Sequence, residues 1–305
     1  MSFSALRDIF IGSVGADYCV KALLFLESPN NVKEYLIGIH KVTFPKGDTR
    51  KKERWSAYPC VKGAPKVLPI MDSDLSDPEF MDKQANKLSF DISRFKEFLD
   101  GYTKVDDDIK PIMLHYSMIY LLDFFSRTWL KYARNLGHGM KIPPHSNSHR
   151  QFPVKITKSG IFHRAVDAFY FLEQSSLFSI DDDDGIPYQH NFELEVPFEK
   201  IEKIKYSEYP EINLDHLINI YERIGKIQLF VSKSNPILIG YAILFIISSI
   251  SRYRAENWFK IREDRDLKNN FDLLQYDFLY KWTHELLMQT ILRGGLKKEL
   301  SISSE

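Results

Sequence analysis

Ile237-Leu-Ile-Gly-Tyr-Ala-Ile-Leu-Phe-Ile-Ile-Ser-Ser-Ile250 is the most apolar run of the chain, and it passes directly into Ser251-Arg-Tyr-Arg254. About 14 residues fall short of the roughly 20 that a membrane-crossing helix needs. The run therefore reads as a helix enclosed by other helices at the heart of a mainly α core. A second stretch, Ile112 to Leu136, points the same way. Its apolar positions Met113, Tyr116, Ile119, Tyr120, Leu122, Phe124 and Trp129 are too dense for a one-sided stripe. A long helix buried around most of its circumference is expected, with Gly137-His-Gly139 as its end.

Outward from these two, helical spacing predicts elements over Gly160–Leu177, Pro197–Lys205, Leu214–Ile224, Pro236–Lys260 and Asn270–Arg293, and a short one over Ile92–Leu99. Asp106-Asp-Asp108 before Pro111 marks a helix start, since acidic residues complement the helix dipole and proline is tolerated in the first turn. Strands are predicted at Glu34–Phe44, Gln151–Thr157 and Phe192–Val196 from β-branched, aromatic or alternating text. Between Thr49 and Asp91 the prolines Pro59, Pro65, Pro69 and Pro78 predict irregular structure. Asp181 to Asp184 reads as a solvated loop, because a cation cage needs interleaved ligands. The tail from Gly294 is polar and expected to fray. The fold class is thus mainly α (α+β): a small mixed α/β N-terminal lobe over 1–104 joined to a helical body over 105–305.

The 305 residues allow a substantial core, and 44% hydrophobic with 14% aromatic residues exclude a disordered chain. Forty-one basic and 41 acidic residues cancel, so no global field draws the protein to nucleic acid or an anionic membrane. Only Cys19 and Cys60 are present, too few for a disulfide framework or a four-cysteine zinc site. No export signal is visible at Met1 to Phe10. A cytoplasmic protein without membrane insertion is expected.

Three segments stand in a fixed order: Ile109 to Asp123 leading to His138-Gly139, then Ser159-Gly-Ile-Phe162, then Tyr241 to Trp258. In the last, an apolar helix passes into Ser-x-x-x-Arg-Tyr-x-x-x-x-Trp. Together they resemble the YaaC-like family across roughly residues 105 to 290. The resemblance implies a mainly helical prokaryotic protein without a settled activity. Ala255 stands where that family's pattern often carries proline.

Arg252, Tyr253, Arg254, Glu256 and Trp258 form the densest recognition cluster, since paired guanidinium groups beside aromatics can grip a phosphate or stack on a base. The alternative is a buried helix whose terminal arginines pair with carboxylates. Arg50-Lys51-Lys52-Glu53-Arg54 adds a second basic run. His138, between two glycines and after Arg134, is the best single acid–base candidate. HEPN ribonucleases are helical and carry an Arg-x4-6-His pair, whereas Arg134 and His138 have three residues between them, a departure from that pattern. Phosphate-loop, dinucleotide, zincin and nucleophile-elbow motifs are missing. His138, His145 and His149 lie close in sequence, but two prolines and a loop separate them, so no metal or other cofactor is expected. The residues favour an interaction protein that binds a protein partner or a second copy of itself, and RNA or DNA, with a role in prokaryotic defence or stress by analogy. The rival readings are a divergent nuclease or nucleotide-processing enzyme using His138 with Arg134 or Arg254, and a structural scaffold.

Overall fold

The computed structural model describes residues 16–44, 68–131, 137–142, 153–156, 160–162, 164–165, 167–168, 212–214, 218, 236–279 and 283. Their order is α1 (Ala16–Phe25), α2 (Pro29–Thr43), α3 (Asp72–Leu75), α4 (Pro78–Tyr102), α5 (Lys110–Trp129), β1 (Met140–Lys141), β2 (Pro153–Ile156), β3 (Ile212–Asn213), α6 (Pro236–Tyr253), α7 (Ala255–Glu263) and α8 (Arg265–Asp277). The architecture is mainly α. The three short strands pair antiparallel in the order β1-β2-β3, with Met140 opposite Ile156 and Val154 opposite Ile212.

The centre is the hairpin of α4 and α5. Asp77 caps α4 by accepting from the Glu79 amide at 3.0 Å, and Pro78 occupies the first turn, where its missing N–H costs nothing. Helix α5 is buried from Leu121 through its last residue, Trp129, without a break. That is the enclosed helix its composition predicts. It stops at Trp129, earlier than the glycine signal suggested, because three distant groups take up its last carbonyls. Gln84 donates to Arg127 O at 2.6 Å, His40 Nε2 to Thr128 O at 2.6 Å, and the Ile70 amide to Trp129 O at 3.0 Å.

Helix α2 packs on α4, and α6 packs on α5. From Tyr241 to Ile247 every residue of α6 is buried. Leu23, Leu36, Ile92 and Phe95 share one core cluster with Leu114, Leu121, Ile243 and Leu244. A mixed α/β lobe before residue 104 is therefore absent among the described residues, and the segments there are helical. The strand predicted at Glu34–Phe44 is helical as far as Thr43, the end of α2. Its buried positions Val32, Tyr35, Leu36 and Ile39 follow a helical period, which outweighs the β-branched content. The irregular stretch predicted up to Asp91 gives way to helix from Asp72, with Pro78 starting an element instead of breaking one. The basic run Arg50–Arg54, Cys60, Arg134, the Asp181–Asp184 loop and the elements predicted at 192–205 lie outside the described residues. Among the described residues no helix is long and apolar enough to cross a membrane.

Candidate functional site

At Arg254 the backbone leaves the helical region (φ −142°, ψ 62°), so the single helix predicted over Pro236–Lys260 is two, α6 and α7, meeting at a corner. The corner carries the Arg-Tyr-x-Arg cluster and separates two surfaces.

On the inner side, Tyr241, Phe245, Ser248 and Arg252 line one face of α6. Arg252 Nε donates to Ser248 O at 3.1 Å and Nη1 to the Tyr116 hydroxyl at 3.1 Å, with the guanidinium 5.6 Å from the Tyr116 ring centre. His115, fully buried, stacks on Tyr241 at 5.5 Å and lies 5.2 Å from the His138 ring. Phe245 flanks both imidazoles. Neither ring nitrogen of His115 has a hydrogen-bond partner, nor does Nδ1 of His138. Burial holds both imidazoles below the ordinary histidine range; for His115 the neighbouring His138 and Arg252 add to this, and for His138 the Arg252 charge does. Both rings are neutral at neutral pH.

His138 owes its place to backbone crowding. Gly137 (φ 77°), Gly139 (φ 83°) and Gly160 (φ 140°) occupy conformations that favour glycine. A Cβ on Gly160 would lie 2.2 Å from the Gly139 nitrogen, so this crossing excludes any side chain. The Tyr241 hydroxyl donates to His138 O at 3.2 Å. The loop then enters β1 at Met140.

On the outer side, Trp258 is buried, not presented for stacking. Its Nε1 donates to Asp108 Oδ1 at 2.7 Å, and its ring meets Phe271 edge-on at 6.4 Å. The same carboxylate oxygen accepts from Arg262 Nη1 at 2.6 Å, and the Asp108 carbonyl accepts from Ser251 Oγ at 2.5 Å. Asp108, read from the sequence as part of an acidic helix start, thus ties the α4–α5 turn to α6 and α7. Beside it opens a cleft of about 650 Å³ between this turn and α7–α8. Tyr102, Trp258, Phe259, Phe271 and Tyr276 supply its aromatic surface. Phe259 and Tyr276 are 58% and 51% exposed. Lys110, Arg262 and Lys268 face Asp107, Glu263 and Asp272 around it.

The structure thus brings His138 and Arg252 to one place and sets Trp258 apart as a structural anchor. Arg254 sits half-buried at the corner. Sequence reasoning did not identify His115 or Asp108. His115 falls at a buried phase of α5 and could have been found by placing it on that helix, whereas no local signal links Asp108 to Trp258. Among the described residues no group of three or more His, Cys, Asp or Glu side chains is arranged to hold a metal ion. No family model, curated protein or solved structure matches the chain.

Proposed function

We propose that the protein is a non-enzymatic interaction module that receives a segment of a partner polypeptide in the cleft between the α4–α5 turn and α7–α8. The observation that carries this reading is the composition of the cleft: a broad aromatic surface with two solvent-exposed rings, edged by three cations and three carboxylates. Aromatic and arginine side chains dominate the binding energy of polypeptide interfaces, and interleaved charges of both signs set register and reject wrong partners. The balanced edge does not suit a polyanion. The similarity to the YaaC-like family and a role in prokaryotic defence or stress belong to the same proposal, supported by the Tyr241–Trp258 pattern.

Panning a displayed random-peptide library against the whole protein tests this directly. The wild type is expected to enrich peptides carrying aromatic residues beside charges of both signs. The same peptides should lose at least tenfold in affinity for a Phe259→Ala, Tyr276→Ala protein whose circular dichroism is unchanged. Peptides bound equally by both proteins would place recognition elsewhere.

One observation favours a second reading. His138, neutral and half-buried, lies within electrostatic reach of Arg252, whose guanidinium donates to the Tyr116 hydroxyl. A neutral imidazole takes up a proton and a guanidinium holds an anion, the elements of a nuclease or nucleotide-processing site. On that reading His138→Ala removes roughly 10²- to 10⁴-fold of phosphodiester turnover and leaves peptide binding unchanged. Wild-type protein without turnover would end it.

A further inference from the structure

We propose that the cleft selects its partner through an arginine, whose guanidinium is held by Glu263 and Asp272 and whose stem lies against Phe259 and Tyr276. The inference rests on the peptide-binding reading of the cleft and names the residue that anchors the peptide there. All four positions line the cleft. Phe259 and Glu263 are four residues apart on α7, and Asp272 and Tyr276 are four apart on α8. Each helix therefore sets an aromatic ring and a carboxylate one turn apart on the same face. On both helices the carboxylate is the member nearer, along the chain, to the turn at Asp264. All four side chains are exposed, Phe259 at 58% and Tyr276 at 51%.

The charges that edge the cleft are not equivalent. Its cations are turned on the protein's own acids. Lys110 pairs with Asp107 at 2.7 Å and lies 5.7 Å from the Tyr102 ring centre, and Arg262 pairs with Asp108 at 2.6 Å. Lys268 stands four residues before Asp272, the spacing of a helical ion pair, yet its charge bears on Asp107. The hydrogen bond and charge of Lys110 hold that Asp107 carboxyl below the usual range, with smaller pulls from Arg262 and Lys268. Glu263 is in no ion pair among the described residues, and Asp272 accepts a long hydrogen bond from Gln275 Nε2 at 3.4 Å. The uncommitted charge is thus negative and sits beside the exposed rings. An acidic residue of the peptide must displace Asp107 or Asp108 to reach Lys110 or Arg262, whereas a basic one meets carboxylates that need no displacement. Arginine suits the place better than lysine. Its planar, weakly hydrated guanidinium stacks on rings and offers a fork to carboxylates, while an ammonium is a compact, strongly hydrated point charge.

Peptides recovered on the whole wild-type protein from a displayed random library, resynthesised with a fluorescent label, test the inference by anisotropy. They are expected to carry arginine. Its replacement by citrulline, which keeps the shape and removes the charge, should lower affinity at least tenfold, and replacement by lysine several-fold. Converting the peptides' acidic residues to amides should cost about threefold at most. Glu263→Gln with Asp272→Asn, two conservative changes at exposed positions, should lower affinity for the arginine peptides at least tenfold and abolish the further loss on citrulline. Lys268→Gln should hold or raise it. Peptides that need Phe259 and Tyr276 but lack arginine, tolerate citrulline or bind the Glu263 and Asp272 variant unchanged would overturn this inference and leave the cleft reading standing. So would a tenfold loss in Lys268→Gln. Peptides bound equally by the Phe259→Ala, Tyr276→Ala protein would overturn both.

Discussion

His115 is a polar side chain in an aromatic box, and its two nitrogens gain nothing from that position. An unsatisfied buried group costs about 1–3 kcal/mol, and an apolar side chain of similar size recovers much of it. His115→Leu is accordingly expected to raise the free energy of unfolding by about 1–2 kcal/mol in urea denaturation. A destabilised variant would show that the ring makes a favourable contact beyond the box. Proton linkage gives a second reading of the same residue. Both His115 and His138 are held below the ordinary histidine value near 6.5, so the unfolded chain binds protons that the folded one refuses. Stability should be complete above about pH 6.5 and fall as the pH drops below it, with a shallower fall in His115→Leu. At Gly160 the argument is steric. Gly160→Ala forces a Cβ into the Gly139 backbone at an unfavourable φ, and a loss of about 2–4 kcal/mol is expected. A loss below 1 kcal/mol would show that the crossing relaxes freely.

The helices differ in how openly the sequence announces them. Helices α5 and α6 were legible because their apolar density admits only an enclosed element, and β2 was legible from its β-branched text. Helix α2 was not, because β-branched and aromatic residues in Glu34–Phe44 carry a strand propensity that tertiary burial at helical period overrides. The end of α5 was hidden for a different reason: its stop is written in Gln84, His40 and Ile70, all far from it in sequence. The candidate site divides likewise. His138 and Arg252 could be named from local chemistry, but not their meeting across 114 positions, which depends on α6 lying along α5. At this scale the α6–α7 corner supplies a test. Asp108→Ala leaves the buried Trp258 Nε1 without its acceptor, and about 1–3 kcal/mol should be lost. Arg262→Ala, which removes only the half-exposed partner of that carboxylate, should cost under about 1 kcal/mol.

At the scale of the whole molecule, a buried charge network joins α4, α5 and the segment that follows Gly160. Arg127 of α5 approaches Asp91 of α4 at 3.3 Å and Asp123 at 3.1 Å, and Arg164 reaches Asp123 at 2.5 Å from the segment that carries Gly160. Burial pushes the Asp91 carboxyl up against the pull of Arg127. Asp123→Ala strips a carboxylate from two buried guanidinium groups and should cost about 3–5 kcal/mol, read as a lower urea midpoint for the entire chain. A local loss confined to one helix in hydrogen exchange would show that the network does not couple these elements. The single Asp108 oxygen shared by Trp258 and Arg262 carries a last consequence. A peptide carboxylate that drew Arg262 away from Asp108 would alter the electrostatics around the largely buried indole in the cleft wall. A fluorine-labelled Trp258 would then act as an internal spectroscopic reporter, signalling occupancy through a shifted resonance without any dye attached to the protein or its partner.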